Sequence, residues 1–453
     1  MGHGTANLTT LAEGVTSAHR RRFKPYPVYK DSGVEWLGEI PAHWEMKRLK
    51  FVAPIRINKL ETKPDDSVYV GLEHVESWTG RLLLDTQPET VDSVVASFSA
   101  GDVLFGKLRP YLAKAARPDF DGVCTSEILP LRPSAEVSQN YLMYFLINAP
   151  FIRWLDSLTY GSKMPRVSPE QIATSFTTVP PLPEQRAIGE FLDRRTARID
   201  ALVAKNERLI ELLQEERTAL IARAVTEALN PQAPMKDSGL EWPGKIPAHW
   251  EVKPFTKYVV EKSDYRGKTP EKVPSGVFLV TARNVRMGLI DYDCSQEFVA
   301  QDEYDEIMRR GLPKEGDILF TTEAPLGNVA LVDREDVALA QRIIRFRMNA
   351  EHFDSRFTLY SMMSSYFQSQ LLSLSTGSTA AGLKASKLPM LRLVAPPLTE
   401  QRAISAFLDL ETVRIDGLMA KVRDAIHRLN ELRVALISAA VTGRIDVRGE
   451  EAK

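Results

Sequence analysis

The sequence predicts an α+β protein in which two α/β blocks form a tandem pseudo-two-fold repeat, separated by two long helices that pair as an antiparallel coiled coil. Three observations predict this fold. A short start motif occurs twice, as KDSGVEWLGEIPAHWE at 30–45 and KDSGLEWPGKIPAHWE at 236–251. A longer segment also occurs twice, as PPLPEQRAIGEFLDRRTARIDALVAK at 180–205 and PPLTEQRAISAFLDLETVRIDGLMAK at 396–421. Between these repeats the two copies diverge and carry short apolar runs bounded by glycine, which is typical of strands.

The repeats divide the chain in order. The predicted divisions are a flexible tail at 1–29, a first block at 30–180, a first long helix at 181–230, a second block at 231–395 with its start motif at 236–251, a second long helix at 396–445, and a tail at 446–453. Weak echoes in register link the divergent blocks: AGDVLF at 100–105 with EGDILF at 315–320, and YGS at 160–162 with TGS at 376–378. Two repeats are too few for a solenoid and suit a monomer that imitates a two-fold dimer.

Inside the blocks, β-branched and aromatic runs predict strands at Val68–Leu72, Val103–Phe105 and Phe278–Thr281. Longer apolar stretches predict helices at Gln139–Leu158, broken near Pro150, and at Arg356–Leu374.

The long repeated segment has the start signals and the period of a coiled-coil helix. Prolines precede it, and no proline interrupts residues 184–226, which would span about 65 Å as a helix. Apolar residues then recur at alternating steps of four and three, a period that calls for a partner helix. The predicted pairing seam is Ile188, Leu192, Ile199, Leu202, Leu209, Leu213 in the first copy and Ile404, Leu408, Ile415, Leu418, Leu429, Leu432 in the second. The other copy is the nearest partner, although separate chains could also pair with these helices.

Composition bounds the function. The chain has 453 residues, is 44% hydrophobic and 26% charged, and has no apolar run near the roughly 18 residues of a membrane span. We therefore expect a cytoplasmic protein without a membrane partner. Cys124 and Cys294 lack CxxC partners, which is against a disulfide framework or a zinc site. The net charge is −1, so any nucleic-acid contact must depend on local patches.

Local charge supplies such patches. Acids are absent from 103–118 and from 355–399, where cations accompany aromatic and small polar residues. This mixture suits contacts with phosphates and base edges, although a solvated loop surface has the same composition. The candidate DNA-binding residues are Lys107, Arg109, Tyr111, Lys114, Arg117, Ser162, Lys163, Arg166, Arg283, Asn284, Arg286, Ser378, Lys384 and Lys387. For Asn284 the sequence leaves a packing role equally open.

Motifs for chemistry are missing. GLEWPGKI at 239–246 nearly matches a phosphate-binding loop but has Ile246 where the metal-binding hydroxyl should be. No amino-methyltransferase tetrapeptide and no nuclease core stand out. His43 and His249 recur beside tryptophan in PAHW, and we interpret them as packing and capping residues. The sequence therefore predicts no catalytic residue and no metal site.

The doubled start motif, the GD[VI]LF strand, the glycine-serine turn and the PPLxEQ helix together resemble the specificity subunit (HsdS) of Type I restriction–modification systems, over residues 30–445. The resemblance implies two target-recognition domains, each reading one half of a bipartite double-stranded DNA site. It implies that the helices set the gap and dock two methyltransferase subunits, with restriction and translocase subunits added in the full complex.

The resemblance further implies an adaptor that is non-catalytic alone. S-adenosylmethionine, ATP and Mg are then expected in the partner subunits and not on this chain. The alternative function is a two-headed coiled-coil scaffold that joins proteins without binding DNA.

Overall fold

The computed structural model of the protein describes residues 23–85, 88, 91, 93–265, 269–340, 342–375 and 382–449. They form two compact units that do not follow the order of the chain. Unit 1 combines the described residues up to Glu207 with those from Arg423 onward, and unit 2 is Arg208–Val422. Residues 1–22 of the predicted tail, and residues 450–453, lie outside the described residues.

The first block contributes eleven strands and four short helices to the described part of unit 1. The strands are β1 (Tyr29–Asp31), β2 (Glu39–Pro41), β3 (Glu45–Arg48), β4 (Asn58–Leu60), β5 (Val68–Val70), β6 (Val95–Phe98), β7 (Val103–Gly106), β8 (Ala115–Ala116), β9 (Gly122–Thr125), β10 (Ile128–Leu131) and β11 (Phe176–Val179). The helices are α1 (Leu49–Val52), α2 (Gln139–Leu146), α3 (Ala149–Ser157) and α4 (Pro169–Thr174). The predicted strands at 68–72 and 103–105 are confirmed as β5 and β7.

Four small sheets organise this block, in the orders β1-β2, β3-β11, β10-β7-β8 and β4-β6-β9-β5. All pairs are antiparallel except β5 with β9. The β3-β11 ribbon places the end of the block beside its start, with Val179 opposite Glu45. The long helix that follows therefore begins next to the start motif.

The second block repeats this plan inside unit 2. The first long helix, α5 (Leu182–Glu227), leads into β12 (Met235–Asp237), β13 (Lys245–Pro247), β14 (Glu251–Pro254), β15 (Val259–Asp264), β16 (Val277–Val280), β17 (Phe298–Val299), α6 (Tyr304–Ile307), β18 (Ile318–Thr322), β19 (Leu326–Leu331), β20 (Val337–Leu339), β21 (Ile343–Met348), α7 (Ser355–Met363), α8 (Ser365–Leu374), β22 (Arg392–Ala395) and the second long helix, α9 (Leu398–Val441). The sheets are β12-β13, β14-β22, β15-β21-β18-β19 and β17-β16-β20, with β16 and β20 parallel.

The predicted break of the first helical stretch near Pro150 is confirmed. Pro150 does not break the helix. It sits in the first turn of α3, where a missing N–H costs nothing. The break falls at Asn148, whose side chain accepts a hydrogen bond from the Phe151 N–H at 3.1 Å and caps α3. The stretch at 356–374 is likewise two helices, separated at Ser364.

The predicted antiparallel pairing of the long helices is confirmed inside each unit. In unit 1, Ile188 and Leu192 share a core with Leu436–Val441, while Asp200, further along α5, pairs with the earlier residue Arg433 of α9. In unit 2, Leu213 packs with Ile415 and Met419, and the later residues Ile221 and Val225 share a core with Ile404 and Leu408.

Three of the twelve predicted seam residues have the wrong phase. Ile188, Leu192, Ile199, Leu213, Ile404, Leu408 and Ile415 are buried, and Leu429 and Leu432 are partly buried. Leu202, Leu209 and Leu418, however, are exposed. Their places are taken one residue later by Val203, Ile210 and Met419, which are at least partly buried. At these three positions the seam takes its contact from the following residue, and the sequence does not reveal this because leucine and its successor are both apolar.

The PAHW and PPLxEQ motifs recur together because each block is anchored on the first turn of its helix. In unit 1 the Glu184 carboxylate accepts hydrogen bonds from Tyr26 Oη at 2.6 Å and Trp44 Nε1 at 2.9 Å, and His43 Nε2 lies 2.8 Å away. In unit 2 Glu400 accepts from Trp250 Nε1 at 2.9 Å, with His249 Nε2 at 2.7 Å. The histidines therefore have the predicted packing and capping role.

Candidate nucleic-acid interface

Two loops of the first block are joined by main-chain hydrogen bonds into one surface. The first is the hairpin tip between β7 and β8, and the second is the glycine turn between α3 and α4. Val167 N–H donates to the Lys107 carbonyl at 3.1 Å, and Arg109 N–H donates to the Pro165 carbonyl at 2.7 Å. Tyr160 and Arg166 close the glycine turn by mutual hydrogen bonds of 3.0 Å. We call residues 107–113 and 160–166 loop pair 1.

An equivalent pair occurs in the second block. Leu383 N–H donates to the Thr322 carbonyl at 3.0 Å, and the main chains of Glu323 and Gly382 form an isolated antiparallel β-bridge. Arg109 and Ala324 precede a proline at the same repeat position, with φ of 51° and 43°. Few non-glycine residues adopt this conformation, so the repeat preserves a costly backbone shape while changing the side chain. We call residues 322–326 and 382–384 loop pair 2; the predicted Ser378 lies outside the described residues.

Loop pair 1 brings together predicted residues from two separate segments. Arg109, Tyr111, Ser162 and Lys163 are exposed on it, and Lys107 is partly exposed. Within the described residues, the side chains of Lys107, Arg109 and Lys163 make no ion pair. Three neighbouring cations that are not paired with an acid raise the local positive potential, and an aromatic and a hydroxyl beside them suit contacts with a polyanion and with base edges.

Three other predicted cations of this block are used internally. Lys114 Nζ donates to the Leu72 carbonyl at 2.5 Å, and burial lowers the pKa of this ammonium group. Arg117 pairs with Asp193 of α5 at 2.9 Å, and Arg166 with Glu127 at 3.2 Å. These contacts hold loop pair 1 and the helix start in place, so the three residues support the surface more than they extend it.

Asn284 has the packing role. Its side chain is fully buried: Oδ1 accepts from Thr281 N–H at 2.9 Å, and Nδ2 donates to the Asp291 and Ser295 carbonyls at 2.9 and 2.8 Å. His74 does the same at the equivalent place in the first block, where Nδ1 accepts from Gly71 N–H at 3.0 Å. A buried amide with satisfied hydrogen bonds is not available to a base.

The remaining predicted residues of the second block do not form one surface. Arg283 is exposed on the turn after β16, and Arg286 on the same turn lies 3.7 Å from Asp291. Lys384 is exposed on loop pair 2, whereas Lys387 donates to the Leu374 carbonyl at 2.8 Å. Loop pair 2 also carries Glu323, which pairs with Arg342 at 3.1 Å. Its chemistry therefore differs from that of loop pair 1.

The structure adds two residues that the sequence analysis omitted. Tyr160 and Met164 are exposed on loop pair 1. The sequence signal that could have found Tyr160 is an aromatic residue directly before the glycine turn YGSKMPR. A search for charged residues alone does not detect either Tyr160 or Met164.

Among the described residues, no three His, Cys, Asp or Glu side chains cluster to hold a metal ion. Within the same ranges, none of the helices combines the length and apolarity needed to cross a membrane.

Comparison with known proteins agrees with the repeat. The family model described as the Type I restriction modification DNA specificity domain matches residues 41–212 and again 288–423. The Type I restriction enzyme MjaVIII specificity subunit of Methanocaldococcus jannaschii is 24% identical over 430 residues, covering 90% of this chain and 94% of its own. The EcoKI specificity subunit of Escherichia coli K12 is 21% identical, covering 80% and 77%.

A solved structure shares the fold. It comes from work on complex assembly and conformational transition of the type I R-M system, and its chain matches with a TM-score of 0.63 at 18% identity, over 89% of this chain and 98% of its own.

Proposed function

The chain belongs to the Type I restriction–modification DNA specificity family, and we propose on that premise that it selects the bipartite DNA site of a Type I complex. Each block reads one half of the site through its loop pair. The observation that carries this proposal is the pair of equivalent loop surfaces with different side chains. One backbone arrangement with two chemistries is what two different half-sites require.

The two long helices supply the other half of this function. They are continuous through α5 and α9, and their repeated segments agree while the blocks diverge. We propose that the helices set the gap between the half-sites and dock two methyltransferase subunits, one on each copy of the shared sequence. Restriction subunits with translocase activity would join the same complex.

Catalysis is assigned to those partners. We propose that S-adenosylmethionine, ATP and Mg are bound by the methyltransferase and restriction subunits, and that this chain acts as a non-catalytic adaptor in the cytoplasm. Loop pair 1 offers cations, aromatic rings and hydroxyls for binding, and the Glu184 and Glu400 clusters serve to anchor the helices.

Sequencing of methylated bases tests this function. A host with the methyltransferase partner should show a two-part adenine-methylated site with one fixed gap when this gene is present, and lose it when the gene is deleted. Absence of any gene-dependent site would refute the proposal. DNA binding that does not weaken with salt would instead favour a protein scaffold, because phosphate contacts release counterions.

A further inference from the structure

The long helices carry the same ion pair twice, once in each unit. In unit 1 Arg433 of α9 pairs with Asp200 of α5 at 3.3 Å. In unit 2 Arg217 of α5 pairs with Asp416 of α9 at 3.0 Å. The two arginines are repeat equivalents, as are the two aspartates, in the repeated RID triplet. The pair is therefore a shared feature of the helix pairing.

Of the two arginines, only Arg433 also donates hydrogen bonds to a recognition block among the described residues. Arg433 Nη1 donates to the Trp78 carbonyl at 2.6 Å, and Nη2 donates to the Thr79 carbonyl at 2.9 Å. The Arg433 side chain is 4% exposed, whereas that of Arg217 is 17% exposed. Within the described residues, the hydrogen bonds of Arg217 go to Asp416 alone. Both helices therefore contact the same turn of the first block, residues 76–81, since Arg81 of this turn also lies 3.8 Å from Asp200 of α5.

The turn at 76–81 is hydrogen-bonded to loop pair 1, the candidate DNA surface. Trp78 has φ of 65°, so the turn presents consecutive carbonyls to the guanidinium. Trp78 N–H in turn donates to the Ala113 carbonyl at 3.2 Å, and Ala113 ends the hairpin tip of loop pair 1. A continuous set of hydrogen bonds thus runs from α9 through the turn to the tip that carries Arg109 and Tyr111.

In the second block the equivalent turn is also hydrogen-bonded to its hairpin, but no described residue of a long helix donates to that turn. The equivalent turn, at 286–289, is joined to its hairpin by Gly288 N–H, which donates to the Val329 carbonyl at 2.7 Å. Among the described residues, no hydrogen bond joins this turn to either long helix. The turn of the second block is two residues shorter than the turn at 76–81, and among the described residues it has no counterpart of the arginine contact.

We propose that Arg433 is a positioning residue that fixes loop pair 1 on the helix pair, through a contact that has no counterpart among the described residues of the second block. The proposal rests on the proposed function. A planar guanidinium carries five N–H donors, so its Nη1 and Nη2 can donate to two successive carbonyls while Nε lies 3.3 Å from the Asp200 carboxylate. The angle at which the first block presents its loops then depends on α9, a helix encoded about 240 residues beyond that block.

The test compares Arg433→Lys and Arg433→Met with the matched variant Arg217→Met, in the full chain with its methyltransferase subunit. Methylated sites are sequenced for each complex, and the half read by the first block is assigned by replacing residues 46–180. For both Arg433 variants we expect about tenfold poorer discrimination between the correct and altered sequences of that half-site, or between the correct gap and gaps altered by one base pair. A roughly tenfold loss is what the loss of one base contact would cause. We expect the other half, and all sites of Arg217→Met, to keep wild-type discrimination.

Amide hydrogen exchange on the free chain provides a readout that needs no DNA. In Arg433→Lys, which keeps the charge beside Asp200, residues 76–81 and 107–113 should exchange faster, and α5 residues 188–199 should keep their protection. Unchanged exchange at 107–113 overturns the proposal, and so does faster exchange with unchanged half-site discrimination. If the wild-type complex itself shows no gene-dependent site, the proposed function fails while the exchange measurement still tests the Arg433 contacts.

Discussion

At the scale of single residues, two glutamates carry the docking of the blocks on their helices. Glu184 is 5% exposed and Glu400 is 36% exposed, although both occupy the same position of PPLxEQ. Burial, together with the hydrogen bond to Glu184, raises the pKa of Tyr26, so this phenol stays a proton donor at any physiological pH. The same motif therefore supports a buried cluster around Glu184 in unit 1 and a more solvent-exposed cluster around Glu400 in unit 2.

Replacing Glu184 with alanine should destabilise unit 1 by about 2–4 kcal/mol, because the buried Trp44 indole and Tyr26 hydroxyl would lose their acceptor. Glu400→Ala should cost less, since the Glu400 side chain is 36% exposed and water can take its place as acceptor for the buried Trp250 indole. Urea unfolding followed separately for the two units measures both changes. Equal losses would contradict the difference in burial.

Arg109 and Lys163 should affect DNA recognition in different ways. Arg109→Ala should relax base preference by about 1–3 kcal/mol in one half-site only, as expected for a lost contact to a base edge. Lys163→Ala should weaken binding to all sequences alike and reduce the slope of log K against log salt by about one, as expected for a lost phosphate contact. Binding titrations of the assembled complex at several salt concentrations measure both.

Lys30→Ala is the control for these two variants, because Lys30 is exposed on β1, outside loop pair 1. Its slope and base preference should match the wild type. Equal effects of all three variants would mean that the charge of the block acts as a whole and that loop pair 1 has no special part.

At the scale of elements, the long helices show how a correct period can be read in the wrong phase. Leucines at 202 and 209 and the residues that follow them, Val203 and Ile210, are all apolar. Either set gives a four-three alternation, so periodicity does not choose between them. In unit 2 the choice is made by the partner helix, where Ile415 and Met419 pack with Leu213 and Ile210.

Ile210→Ala should therefore destabilise unit 2 by about 1–2 kcal/mol, since it removes a partly buried side chain from the Leu213 cluster. Leu209→Ala changes the neighbouring exposed residue and should stay within about 0.5 kcal/mol of the wild type. Chemical unfolding of the free chain distinguishes the two positions. The reverse order of effects would restore the seam predicted from the sequence.

At the scale of the whole molecule, the chain closes its first unit with its own last segment. Leu436–Val441 of α9 lie in the core of unit 1, and the main chains of Lys24 and Asp446 form an isolated antiparallel β-bridge. A helix that follows the second block is thus part of the unit that holds the first. Modular replacement of a block must preserve contacts with residues far along the chain, Arg433 among them.

The gap between half-sites should follow the length of the helices. Inserting seven residues at 204–214 and seven at 420–430 preserves the heptad phase and lengthens each helix by about 10 Å. We expect a gap longer by about three base pairs, at 3.4 Å per pair, with both half-sites unchanged. Sequencing of methylated sites measures the gap, and an unchanged gap would show that the helices do not set it.

The sequence by itself determined the repeat, the two long helices and their antiparallel pairing, because doubled motifs and a sustained heptad are local and need no knowledge of contacts. It also identified the segment at 107–113 of loop pair 1 through its missing acids. Only the tertiary structure decided which seam phase is buried, which cations are already paired, and that Asn284 packs inside its turn. Those outcomes depend on neighbours distant in the chain: Asp193 takes Arg117, Glu127 takes Arg166, and Arg433 reaches Trp78 across 355 residues. Composition and spacing describe a side chain's chemistry, whereas its availability is set by what the fold places beside it.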